Sequence, residues 1–196
     1  MNQVLFLIFI KKNMENKSNY YEEVVRGGIM LAAVSIIITM LAYIINVEMM
    51  VEWWFGLISL AISVTLLIYI GVGYRNSIGG ILSYGDAFKF SFLVMAVSYV
   101  IGIGFQILLY TIIDPGLPEV ITQLTVEKTV QMMESFGTSQ EIIDASIEGV
   151  EEAIKNSTTA SGILISSPWG LLLLGLFSLI TAIFIKKNET ISDRIN

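Results

Sequence analysis

An all-α membrane protein with four transmembrane helices is predicted by three observations. The chain of 196 residues has four long apolar runs nearly free of charge, a lopsided distribution of Lys and Arg between them, and aromatic residues gathered at their ends. With 55% hydrophobic and 14% charged residues, it falls well below the roughly one quarter charged that a soluble domain carries. In a bilayer every backbone N–H and C=O must find a partner inside the protein, so apolar runs of about 20 residues become helices.

Taken in order, residues 1–26 form an N-terminal segment, with an apolar stretch Val4 to Ile10 followed by lysines. A secretory signal would carry its lysines first. Residues 1–13 are therefore read as a start-site artefact before Met14, or as a frayed interfacial stretch. Spans are expected at 27–45, 53–73 and 87–113, with the last at 162–185 and its core at 168–185. The seven-residue link from Asn46 to Glu52 forces the first two spans into an antiparallel hairpin. Residues 74–86 form a turn containing Gly79, Gly80 and Gly85, which suit positive φ angles. Asp86 and Lys89 follow at i, i+3 spacing on the opening turn of the third helix.

Residues 114–161 are acidic and contain helical periodicity twice, in Val126, Val130 and Met133 and again in Ile143, Ile147, Val150 and Ile154. An amphipathic helical hairpin between spans three and four is expected, broken at Gly137, with Thr138 and Glu141 as a capping box and the two apolar stripes facing each other. Ser167 and Pro168 suit the N-cap and first position of the last helix. Residues 186–196 are a basic-ended tail.

Nine of the eleven Lys and Arg residues lie in the N-terminal segment, the 74–89 link and the tail, whereas the other side holds Lys128 and Lys155 against eleven acids. The positive-inside rule then puts both termini in the cytoplasm and the acidic hairpin outside it. Tyr20, Tyr21, Tyr69, Tyr74 and Tyr84 mark one interface; Tyr43, Trp53, Trp54, Tyr110 and Trp169 mark the other. Tyr99 falls near mid-membrane, where its hydroxyl needs a partner.

The chain has no Cys and no His. It therefore lacks the thiolate nucleophile, the commonest general base and the commonest metal ligand. No catalytic, cofactor-binding or metal-binding residues are assigned, and no cofactor or nucleic-acid partner is expected. The spread acids lack the D-x-D-x-D-G loop of a calcium site. Within the spans the strongest polar positions are Ser98 and Gln106, with Ser35, Thr39, Ser59, Ser63 and Thr65. Hydrogen bonding between helices is the expected role for all of them.

The stretch GGILSYGDAFKFSFLVMAVSYVIGIGFQILLYTIIDPG, residues 79–116, resembles the bacterial membrane family called domain of unknown function 4199. SSPWGLLLLGLFSLITAIFIKKNE, residues 166–189, is similar to that family's final span. The resemblance implies a multi-pass protein of the bacterial inner membrane, of unassigned function, and supplies no catalytic residues. If the inner face carries a site, Gly79, Gly80, Tyr84, Gly85, Asp86, Phe88 and Lys89 are its candidates. The expected function is a non-enzymatic structural or partner-binding component in contact with the lipid bilayer, meeting a protein partner or a second copy through residues 114–161. The alternative is a small transporter or the accessory subunit of a transport complex, for which a cavity reaching Gln106 and Ser98 would speak. A lipid-active enzyme would have only Asp86 beside Lys89 to work with.

Overall fold

The computed structural model describes the backbone of residues 3–188 and the side chains of residues 19–188. Among these residues the fold is all-α, with six α-helices and no strand. Four stretches are long and apolar enough to cross a membrane: Asn19–Ile45, Trp53–Ser77, Tyr84–Ile113 and Ala160–Ile185. The first belongs to helix α1 (Gln3–Ile45), which continues without a break toward the N-terminus. Helix α2 (Trp53–Ser77) and helix α3 (Tyr84–Leu108) follow. Helices α4 (Leu117–Ser135) and α5 (Gln140–Thr158) separate α3 from helix α6 (Ala160–Ile185).

The bundle packs α3 between α1 and α6, while α2 closes against both α1 and α6. Lipid tails are as apolar as Leu, so close van der Waals fit rather than water exclusion has to hold such helices together. Gly28 supplies that fit: a Cβ there would stand 2.5 Å from the Val97 Cβ and 3.0 Å from the Val94 carbonyl. Val24, Leu31, Leu67, Phe90 and Val94 form the buried core at this level. Tyr74 stacks on Phe90 with ring centres 4.2 Å apart, an arrangement worth about 0.5–1.5 kcal/mol beyond the area it buries. Ser178 and Ala182, a small pair one turn apart, are fully buried on α6.

Most polar side chains in the spans do not bridge helices. Ser35, Thr39, Ser63 and Thr65 each donate to the carbonyl four residues back, at 2.8–3.0 Å. This corrects the expectation of interhelical bonds for these four, because the i−4 carbonyl is already within reach and satisfies the hydroxyl locally. Tyr99 does reach across, donating to the Ser167 carbonyl at 3.1 Å.

The start of α6 also differs from the sequence expectation. Thr159 is the N-cap, its hydroxyl accepting from the Gly162 N–H at 3.0 Å, and Pro168 lies inside the helix. Thr159 offers an earlier oxygen cap than Ser167, and the apolar residues 163–165 extend the helical run. Proline cannot donate to the Leu164 carbonyl. The Ser167 hydroxyl takes that place, donating to Leu164 O at 2.8 Å. Replacing Ser167 with Ala is expected to strip this carbonyl and lower stability in detergent by about 1 kcal/mol, while Ser167→Thr stays near the parent; thermal unfolding of the two variants checks it.

At the joint between α4 and α5, Gly137 takes φ +73°, the left-handed value that favours glycine. Val126, Val130 and Met133 of α4 face Ser146, Ile147 and Val150 of α5 across a seam without room for water. The expected capping box does not form: Ser139 occupies the N-cap without a side-chain bond. Its carbonyl accepts the Ile142 and Ile143 N–H groups, so the helix starts one residue later and Glu141 falls at its second position.

Candidate functional site

The two ends of the bundle are built differently. At the end carrying the 78–83 turn, Gly79 and Gly80 adopt φ +103° and +83°, conformations that cost other residues roughly 1–2 kcal/mol each. The reversal brings Leu82 antiparallel to Lys187, with two mutual backbone bonds of 3.0 Å. Arg75, from the last turn of α2, donates to the Ile185 carbonyl at 2.9 Å and so caps the C-terminus of α6 from a neighbouring helix. The Tyr84 hydroxyl donates to Leu179 O at 3.1 Å, and the Lys186 ammonium sits 5.8 Å from the centre of the Tyr84 ring. Leu82, Ala87, Ala182 and Ile185 close the small core beneath.

Of the seven residues singled out here, Gly79, Gly80 and Tyr84 thus belong to a clasp between the turn and α6. Asp86 completes the cap of α3: it accepts from the Ser83 hydroxyl at 2.7 Å while Ser83 Oγ accepts from the Asp86 N–H at 3.1 Å. Its other oxygen lies 3.6 Å from the Lys89 ammonium. Asp86, Phe88 and Lys89 edge a groove of about 490 Å³ against Tyr20, Tyr21 and Phe92. Gly85 is exposed with open space around it. Replacing Gly79 and Gly80 together with Ala should strain both positive φ angles and open the clasp, at a cost of about 2–4 kcal/mol; faster exchange of the Leu82 and Lys187 amides would report it.

The opposite end is organised by two ionisable residues. Asp114 accepts from the Tyr43 hydroxyl at 3.0 Å and, through its other oxygen, from the Gly116 and Leu117 N–H groups at 3.1 Å. It joins the end of α1 to the start of α4. Lys128 of α4 reaches Glu48 at 2.6 Å and Glu52 at 2.9 Å, on the short link between α1 and α2. Hydrogen bonding to Lys128 lowers the Glu48 carboxyl below its ordinary value, and the bonds to both glutamates push the Lys128 ammonium up.

Beneath α4 and α5 lies a cavity of about 710 Å³, walled by α1, α3 and α6. Ser35, Thr39, Tyr99 and Gln106 face it, and Gln106 stands beside the Tyr110 hydroxyl one turn on. Ser98 is half-buried on α3 and is not part of this lining. Where α3 passes the cavity its last turn widens into a π-turn over Leu109–Ile113, with the Asp114 N–H reaching back to Leu109 O at 2.9 Å. Such turns re-aim side chains and recur at functional sites. Leu109 and Tyr110, both buried, line the cavity from this turn.

Sequence reasoning missed Arg75, Asp114 and Lys128 as organising residues. Only Lys128 carried a signal, being one of two cations in a strongly acidic stretch.

Four apolar helices of spanning length, joined at one end by a backbone clasp and covered at the other by α4 and α5, define a multi-pass helical membrane protein. The family described as protein of unknown function (DUF4199) matches residues 26–187, and the chain belongs to it. No curated protein and no solved structure matches the chain.

Proposed function

We propose that the protein is a non-enzymatic component of the bacterial inner membrane, with both termini in the cytoplasm and the α4–α5 hairpin on the extracytoplasmic side as a surface for a protein partner. The orientation rests on the positive-inside distribution of Lys and Arg. The observation that carries the partner reading is the hairpin tip. Phe136 is 81% exposed there, with Met132 and Ile142 also exposed and Glu134 and Glu141 beside them. An apolar anchor with a charged rim is the usual anatomy of a protein interface. The acids favour a partner with a basic rim and repel a second copy of the same face. Lack of His and Cys, and the use of Asp86 as a helix cap, support a non-catalytic role.

A photo-crosslinking amino acid at Phe136 in native membranes tests this reading. A crosslinked protein whose yield falls at least tenfold on Glu134→Lys with Glu141→Lys is the expected result. A homodimer adduct, or one indifferent to these charge reversals, would sink it.

A second reading, a small transporter or accessory subunit of a transport complex, draws support from the cavity, which reaches Gln106 but not Ser98. Under that reading, filling the cavity abolishes solute flux while the Phe136 crosslink persists.

A further inference from the structure

The cavity beneath α4 and α5 has a chemical character that narrows what it holds. Among the described residues, no Asp, Glu, Lys or Arg lines it. An unpaired charge inside a low-dielectric site costs several kcal/mol, so a charged occupant would find nothing there to offset its desolvation. A ligand matched to this wall is uncharged.

Most of its hydroxyls have a fixed hydrogen-bonding sense. All six Ser and Thr hydroxyls of the lining donate to backbone carbonyls of their own helices, Ser35 and Thr39 among them, and Ser166 to Ile163 O at 3.2 Å. Tyr99 likewise donates to Ser167 O. A hydroxyl that has committed its proton keeps acceptor lone pairs. The hydroxyls of Ser, Thr and Tyr99 therefore present acceptors, while the Gln106 amide and the Tyr110 hydroxyl add donors, so a matching ligand both donates and accepts, as a hydroxyl does.

The remaining wall is apolar, supplied by residues such as Ile36, Ile103, Phe105 and Ile163. No residue of α2 contributes, although α2, like α3, packs on both α1 and α6. Among the spans, α1, α3 and α6 alone wall the cavity. The volume, about 710 Å³, lies within the roughly 300–1,000 Å³ of small-molecule sites.

From these features we infer that the cavity binds an uncharged amphiphile with a hydroxyl-bearing head, of the acylglycerol class, its head among the oxygens of Thr125, Ser166 and Gln106 and its chain between α1 and α6. This assignment is independent of the hairpin's partner: crosslinking at Phe136 can fail while the cavity still fills.

The full-length protein in lipid nanodiscs is photolabelled with a monoacylglycerol carrying a diazirine on its chain, and the adducts are mapped. Labelling is expected on the cavity faces of α1, α3 and α6, and excess unlabelled monoacylglycerol should remove it. Phosphatidylglycerol, which is charged, should compete at least tenfold less well. Gly102 lines the cavity with nothing within 4 Å of a Cβ built on it, so Gly102→Leu fills the space without collision and should cut labelling about tenfold. Gly104→Leu, at an exposed position outside the lining, should not change it. If Gly102→Leu fails to fold, Gln106→Leu serves instead and should weaken competition by the hydroxyl compound but not by its O-methylated analogue. Labels spread evenly over lipid-facing residues such as Leu57, Leu172 and Ile183, indifference to the cavity variants, or equal competition by phosphatidylglycerol would each overturn the assignment.

Discussion

Gly28→Val should destabilise the bundle more than any other single apolar substitution proposed for it. The new Cβ would meet the Val97 Cβ at 2.5 Å and the Val94 carbonyl at 3.0 Å. A β-carbon and a backbone oxygen cannot swing aside as the end of a long side chain can. Relief requires α1 to move off α3, which disturbs the core of Val24, Phe90 and Val94. Overpacking of this kind costs about 3 kcal/mol, and in a chain of this length that lowers an unfolding midpoint by roughly 10 °C. Gly104→Ala is the matched control, since nothing lies within 4 Å of the added carbon; removing glycine from a helix interior should there stabilise by about 0.5–1 kcal/mol. Thermal unfolding in detergent, read by near-UV dichroism and by aggregation, compares the two. Equal midpoints would show that α1 and α3 are not held as closely as their backbones indicate.

Lys128→Glu is expected to release α4 from the link between α1 and α2. The parent ammonium sits between Glu48 and Glu52; the variant places three carboxylates together, and like charges at such spacing repel. Exchange protection of α4 amides should fall about tenfold at neutral pH, while the spans keep theirs. Lys128→Arg should retain the contact. The parent protein should also respond to pH. The Glu48 carboxyl is held below its ordinary 4.5, so its contribution is full above that value and disappears as pH falls through the lowered one. The Lys128 ammonium is raised above its ordinary 10.5, so its contribution is full below 10.5 and disappears as pH rises through the raised value. Docking of α4 is thus constant across the neutral range and loosens at both extremes, first in acid for cells and buffers of ordinary composition. An α4 whose exchange is insensitive to both substitution and acid would show that Lys128 is ornamental to the docking.

The spans were legible because length and charge decide them: a run such as Trp53–Ser77 has no other way to satisfy its backbone in lipid. Local signals were less decisive where two competed. Ser167-Pro168 read as the start of the last helix, but Thr159 caps it, and Ser167 instead serves the carbonyl that Pro168 leaves open. At α5 the expected cap Thr138 gives way to Ser139. The glycine pair announced a turn but not its purpose, because Leu82 meets Lys187 through backbone atoms, which no side-chain pattern encodes. The cavity was illegible for a related reason. Ser35, Thr39, Ser166 and Gln106 are scattered through the sequence, and only the arrangement of α1, α3 and α6 under the hairpin brings them round one volume.

The bond pair between Leu82 and Lys187 also sets a clock. Its two halves are separated by 105 residues of chain, which a ribosome needs roughly 5–20 s to add. Throughout that interval the turn after α2 exists without its complement, and Arg75 has no Ile185 carbonyl to meet. The first three spans therefore wait in the bilayer as an unfinished assembly, and arrival of the last few residues of α6 completes it. A chain cut short before Lys187 keeps every preceding span and lacks the closure.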